Sequence, residues 1–290
     1  MMTAGGDPSN GWQATEAGVL WEPEARAADL AEPDTDRPLR GCFVTGTDTE
    51  VGKTTVSAGL LHALGRQGLR VAGYKPVSAG AVWCSAASGP GGHWHNEDVE
   101  ALLAASNIEL TRSEVCPCLL EEACAPHLAA RLEGGHIEPR VLTAGARRLM
   151  PRCDVLVVEG VGGFCVPLVE AEEVEDGADA GGWGADDLAS ALALPVILVV
   201  GLRLGCINHS LLTAAAINAR GLRLAGWIAN RVEPDMAHAQ DNIDTLRRAL
   251  QRRYGAPLLG VIDYMVTATP DRVANQLDVG AVIEVLGLPD

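Results

Sequence analysis

Ten residues, Gly46-Thr-Asp-Thr-Glu-Val-Gly-Lys-Thr-Thr55, limit what this chain can fold into more than any other stretch. They follow a short apolar run, Arg40–Thr45, and lead into a helical pattern in which Val56, Leu60, Leu61 and Leu64 share one face. Glycines at 65 and 68 stop that pattern. A buried strand that turns through a glycine loop into a helix leaves the first-turn N–H groups without intrahelical partners. Those donors, with the positive end of the helix dipole, favour an anion.

Five residues rather than four separate Gly46 from Gly52, so the loop resembles the Walker A pattern GxxxxGK[ST] when counted from Thr47. The physical requirement is met either way. Successive backbone N–H groups point at phosphate oxygens, Lys53 reaches the outer phosphates, and the Thr54 hydroxyl can ligate Mg²⁺. Downstream, the pattern repeats strand and helix. Val71–Tyr74 reads as a strand ending at Lys75-Pro76, and a Gly/Ser-rich loop is expected over 77–95. Asn96 is a good N-cap for a helix through Ala105, and another helix is expected over 139–149. Val155–Val158, Pro195–Val200, Leu224–Ala229 and Pro257–Ile262 read as buried strands, with helices over Asn208–Ala219 and along the Ala239, Ile243, Leu246, Leu250 face. Strands apolar throughout, alternating with helices, predict a doubly wound α/β domain over residues 40–290, its mostly parallel sheet covered on both faces. Ligands bind such a sheet at the carboxyl ends of its strands, where the loop after Thr45, Lys75, Glu159 and Asn230 all fall.

The net charge of −16 argues against sequence-independent nucleic-acid binding. Residues 1–39 hold eight acids and two arginines, and residues 168–187 hold eight acids and no base, so the other 231 residues carry only −2. Both acidic segments are rich in Ala, Gly, Asp and Glu with little apolar periodicity, and are expected to be a disordered tail and a mobile insertion. The longest apolar run, Ala191–Leu202, falls short of the roughly 20 residues a membrane-spanning helix needs. Eight cysteines without a CxxC pair, and no signal-peptide pattern, point to a cytoplasmic protein. Of 22 basic residues only Lys53 and Lys75 are lysines. In a chain so biased to arginine, a lysine survives where a compact three-donor ammonium is needed and a planar guanidinium does not fit.

Glu159 ends an apolar strand, as the acidic residue of a Walker B strand does. Asp98, taken alone, is a first-turn acid favoured by the helix dipole. His93, His95 and Cys116-Pro-Cys118 match no zinc spacing.

The motifs GTDTEVGKT (46–54), GYKPVSAG (73–80), NEDVEAL (96–102), APH (125–127), VEGVGG (158–163), LPVILVVGLRLGCINHSLLTA (194–214) and LAGWIANRV (224–232) together resemble the ATP-dependent dethiobiotin synthetases. That family joins CO₂ to the vicinal diamine 7,8-diaminononanoate and closes a ureido ring at the expense of ATP. The resemblance implies that Glu50, Val51, Gly52, Lys53, Thr54 and Thr55 cradle ATP, with Asp98, Glu159, Gly160, Val161, Gly162, Asn230 and Arg231 completing the site. Asn230 resembles the adenine-reading residue. Thr54, Asp98 and Glu159 would hold Mg²⁺, and Lys75 and Lys53 would be the catalytic cations on either side of carbamate and phosphoryl group. Thr49, Ser78 and Gly162 would contact the diamine. Cys206, Ile207 and Asn208 would bind the substrate carboxylate from the other subunit of a homodimer.

The chain departs from that family in placing Ser78 and Ala79 where a hydroxyl often comes second, and in lacking a proline in Asp263-Tyr-Met265. Rival readings share the phosphate loop. Switch ATPases carry an additional lysine at its start, absent here, and amidoligases need a glutaminase domain for which 290 residues leave little room.

Overall fold

The computed structural model describes residues 40–85, 92–170 and 181–289, together with two short strands, Gln13–Ala14 and Leu20–Trp21. Six strands form the central sheet: β1 (Gly41–Gly46), β2 (Val71–Tyr74), β3 (Val155–Gly163), β4 (Val196–Gly201), β5 (Leu224–Asn230) and β6 (Leu258–Ile262). Their order is β6-β5-β4-β1-β3-β2, and every pairing is parallel.

Alternate residues of these strands feed two cores. Phe43, Val158, Leu198, Val200 and Trp227 pack on one face with Leu142, Ala146, Leu188, Leu192, Ile217, Ile243, Leu246 and Leu250. Cys42, Val44, Val157, Ile197, Val199 and Ile228 pack on the other with Val56, Leu60, Leu61, Leu64, Val99, Leu102 and Val273. The sheet is therefore covered on both sides, as the unbroken apolar strands require. β1 lies between β3 and β4, so the chain winds away from it in both directions. Its carboxyl end is the crevice where such sheets bind ligands.

The structure adds elements where a loop was expected. Val77–Ala79 is a strand parallel to Cys118–Leu120, and Val82–Ser85 pairs antiparallel with Gly92–His95. The hairpin is held by a cross-strand pair of indoles, Trp83 and Trp94, with ring centroids 5.3 Å apart in an edge-to-face arrangement. The helix expected from Asn208 starts at Cys206, directly after Gly205 at φ 97. The predicted strand Val155–Val158 continues to Gly163. Of the acidic stretch 168–187, Pro167–Val169 pairs with Trp183–Gly184, and Asp186 and Asp187 sit in the first turn of the helix Ala185–Leu192. Residues 171–180 of that stretch lie outside the described residues. So does the acidic tail, apart from its two short strands, of which Leu20–Trp21 pairs with Cys118–Leu119. Among the described residues no helix is long and apolar enough to cross a membrane.

Tyr74, the last residue of β2, is fully buried, and its hydroxyl donates to the Leu142 carbonyl at 2.7 Å. A Cβ at Gly145 would lie 2.2 Å from that hydroxyl. The side chain preceding Lys75 is thus anchored against a glycine. Gly145→Ala should destabilise the protein by about 1–3 kcal/mol, the usual cost of overpacking, measured by urea unfolding.

Candidate functional site: a phosphate loop facing two lysines

The loop after β1 closes tightly. Glu50 (φ 58) and Gly52 (φ 87) are both left-handed. A Cβ at Gly52 would lie 2.2 Å from Asn230 Nδ2, which itself donates to the Val51 carbonyl at 2.9 Å. The end of β5 thereby braces the turn from below. Val51 is buried, whereas Asp48 supports the loop from outside. Its carboxylate accepts from the Thr49 N–H at 2.8 Å and pairs with Arg203, and its carbonyl accepts from Lys53 Nζ at 3.0 Å.

The first turns of two helices, Lys53–Gly65 and Glu97–Ala105, and the ends of β2 and β3 bring together residues far apart in sequence. Thr54 Oγ1 lies 2.6 Å from Asp98 Oδ1 and 2.8 Å from Glu159 Oε1. Lys75 Nζ lies 2.8 Å from Asp98 Oδ2 and 2.5 Å from Glu159 Oε1. The hydroxyl has one hydrogen for two carboxylates, and Glu159 Oε2 is buried without a hydrogen-bond partner. A hydroxyl and two carboxylates are an all-oxygen set, and the orphaned oxygen leaves capacity for a hard cation. Such a donor set suits Mg²⁺, which is commonly held by one or two carboxylates and completes its shell with phosphates and water. Lys53, Lys75, Thr54, Asp98 and Glu159 all line one cavity of about 800 Å³, together with Thr49, Ser78, Val161 and Gly162.

The profile of the AAA domain family matches residues 40–272, most of the chain. The chain belongs to that family. Its members include dethiobiotin-synthetase-like P-loop proteins. Among solved structures, the MinD cell division protein of Aquifex aeolicus is 14% identical, with a TM-score of 0.45, covering 86% of this chain and 95% of that one. The septum site-determining protein MinD complexed with Mg-ADP from Pyrococcus horikoshii is 16% identical, with a TM-score of 0.41, covering 85% and 94%. A ParA family ATPase from Chlorobium tepidum is 12% identical, with a TM-score of 0.44, covering 84% and 93%.

In this AAA-domain protein the two lysines have opposite electrostatics. Burial, with Lys75 nearby, brings the Lys53 pKa down to about 8. Burial also opposes the charge on Lys75, but Glu159 and Asp98 outweigh it and hold its pKa above the ordinary lysine value. Burial works against the Asp98 charge as well, and the contact with Lys75 overcomes it, leaving the carboxyl below its usual range.

Other expected residues divide between two places. Glu50, Gly52 and Thr55 line the large cavity and also a shallower one of about 210 Å³, shared with Asn230, Arg231, Asp263, Tyr264 and Met265. The segment without proline thus does border this second cavity. Gly160 is buried, with its carbonyl 3.5 Å from Lys75 Nζ. Gly162 is left-handed at φ 61, and a Cβ there would come 3.8 Å from Thr49 Oγ1, so those two positions face each other. Ser78 lines the cavity, but its hydroxyl donates to Asn96 Oδ1 at 3.0 Å. Cys206, Ile207 and Asn208 do not line the cavity. Cys206 is buried with its thiol 3.7 Å from Asn242 Oδ1, while Asn208 is exposed. Cys116 is buried, and that burial pushes its thiol up to about 12.

Sequence reasoning missed Asp48 and Arg203 as supports of the loop, and the wall made by Ala123, Cys124, Ala125 and Pro126. The APH motif marked that wall without giving it a role.

Lys53 carries a pH signature. Its folded pKa lies near 8 against an ordinary value of 10.5, so the unfolded chain binds more protons between those values. The penalty for the buried ammonium is present below about pH 8 and is relieved as pH rises towards 10.5, so this residue's contribution to stability increases across that window. Relative to wild type, Lys53→Met should lose that component. Urea unfolding of nucleotide-free protein at pH 8, 9 and 10 measures it, and identical pH slopes would count against the assignment.

Proposed function

We propose that this protein is an ATP- and Mg²⁺-dependent dethiobiotin synthase. It would join CO₂ to 7,8-diaminononanoate and close the ureido ring, releasing ADP and phosphate, as a homodimer. The observation that carries the reading is that the chain's only two lysines face one cavity beside Thr54, Asp98 and Glu159.

The chemistry requires two anions to meet. One amine of the diamine adds CO₂ to give a carbamate, whose oxygen attacks the γ-phosphorus of ATP as ADP leaves. The second amine then attacks the carbonyl carbon, phosphate departs, and the ring closes. Lys75, held cationic by Asp98 and Glu159, faces the carbamate and the transferred phosphoryl group. Lys53, whose pKa near 8 leaves part of it neutral in mildly alkaline solution, becomes fully cationic when phosphate oxygens arrive and then steadies the outer phosphates. Bound Mg²⁺ supplies charge neutralisation on the triphosphate, with Thr54, Asp98 and Glu159 as its holders.

Thr49 and Gly162 form the diamine end of the cavity. Ala79 offers no hydroxyl, and that of Ser78 is engaged with Asn96, so Ser78 contributes to the wall and not a substrate hydrogen bond. The nucleobase takes the shallower cavity, where Asn230 and Arg231 provide donors. The acid end of the substrate is assigned to the helix start at Cys206, Ile207 and Asn208 of the second subunit. There the positive end of the helix dipole favours a carboxylate.

The decisive assay is formation of a cyclic urea from diaminononanoate, bicarbonate and Mg·ATP. ATP hydrolysis should depend on diamine and bicarbonate together, and hydrolysis that responds only to a protein or DNA partner would overturn the proposal.

Lys75→Ala should keep nucleotide affinity within a few-fold while lowering kcat by about 10²–10³, the loss typical when one donor to a developing charge is removed. Near-normal turnover would refute its role. Mixing Lys75→Ala subunits with Asn208→Ala subunits should restore activity in heterodimers that neither variant has alone. A mixture no more active than its parts would argue against a shared site.

A further inference from the structure

Asn96 touches neither cavity, yet it is the joint at which two arms of the site meet. It is 92% withdrawn from solvent, with a relative exposure of 8%. Its amide oxygen accepts from the Ser78 hydroxyl at 3.0 Å and from the Val99 N–H at 3.3 Å, and its amide nitrogen donates to the Ala79 carbonyl at 3.2 Å. The first and last of these bonds reach the strand that follows Lys75 and Pro76. The middle one caps the helix Glu97–Ala105, whose second residue is Asp98. Between the two joined segments the chain leaves on the Trp83–Trp94 hairpin and returns.

We infer that Asn96 is a positioning residue that fixes Asp98 and Lys75 relative to each other, by closing the base of the hairpin with one buried amide. Asp98 acts here as the metal ligand proposed above, and the inference rests on that reading. A serine or aspartate would cap the helix as well as an asparagine does. Only an amide of this length offers an acceptor to both Ser78 and Val99 together with a donor to Ala79. The choice of Asn over the other good caps is explained by the tie and not by the helix. The same tie accounts for Ser78: its buried hydroxyl belongs to the joint. The tie secures the start of the helix beside Lys75, in addition to the Thr54 hydroxyl and the 2.8 Å contact between Asp98 and Lys75, while Ser106 and Asn107 tie the far end of that helix to the strand before Lys75.

The test separates capping from positioning. Binding of Mn²⁺ to the full-length protein saturated with a non-hydrolysable ATP analogue is followed by electron paramagnetic resonance, alongside thermal unfolding, for Asn96→Ser, Ser78→Ala and Asp98→Asn. Asn96→Ser, which keeps the cap but gives up the bonds to Ser78 and Ala79, should remain folded with a lowered melting temperature and bind Mn²⁺ about tenfold more weakly, the loss expected when the support of a metal ligand is removed. Ser78→Ala, which deletes one bond of the joint and leaves the cap untouched, should weaken Mn²⁺ binding about threefold. Wild-type Mn²⁺ affinity in Asn96→Ser, with weakened binding in Asp98→Asn, would leave Asn96 as a helix cap and overturn the inference while sparing the ligand assignment. Unchanged affinity in Asp98→Asn would remove the ligand assignment, and the inference with it. Should Asn96→Ser fail to fold, unchanged affinity in Ser78→Ala overturns the inference.

Discussion

Glu159 is a fully buried carboxylate at the end of an apolar strand, and the arrangement around it follows from the need to compensate that charge. An unpaired ion in such a place costs several kcal/mol. The compensation is built into the sheet. Tyr74 of β2 is in register with Val158 of β3, so the residues that follow, Lys75 and Glu159, emerge side by side. On the other side Val44 of β1 is in register with Glu159, which brings the loop after β1 and its Thr54 to the same carboxylate. A different strand order, or a shift of one residue, would place Lys75 on the wrong face and leave a buried charge unpaired. The strand order β1-β3-β2 and the candidate site are therefore one constraint seen at two scales.

Much of this was legible from local signals. Strands β1 to β6 are apolar enough to be recognised alone, and the glycine loop fixes how the first of them turns into a helix. The pair of lysines stood out because arginine had taken every other basic position. What remained hidden was the set of contacts that no local pattern encodes. Thr54, Asp98 and Glu159 are separated by 44 and 105 positions, and their meeting depends on the sheet. Read locally, Asp98 was an ordinary first-turn acid, and only the resemblance gave it a metal. The hairpin after Ala81 read as a loop because glycine, serine and histidine interrupt any alternation. Its stability comes from two tryptophans eleven residues apart that find each other across the strands. The helix beginning at Cys206 was placed two residues late because its start is set by the left-handed Gly205, a backbone property with no side chain to announce it.

The two cavities share Glu50, Gly52 and Thr55, so the helix start after the loop is the common wall of the proposed phosphate and base ends. One nucleotide can span both. The remainder of the larger cavity runs past Lys75 towards Gly162, Val166 and Pro126, where there is room for a second reactant. No residue of the helix starting at Cys206 lines that space, and its thiol is turned into the core. The proposed function accordingly assigns the acid end of the substrate to that helix start on another copy of the chain.

The opposing environments of the two lysines give the site an order of events. Lys75 keeps its charge in the empty protein because two carboxylates demand it, and it forms part of the folded structure before any ligand arrives. Lys53 is different. Its pKa near 8 leaves a sizeable neutral fraction in mildly alkaline solution, since burial and the neighbouring ammonium both work against its charge. Phosphate oxygens entering the loop reverse that balance, so full cationic character at Lys53 comes with the nucleotide. One ammonium is thus a fixed feature of the fold and the other is completed by the ligand.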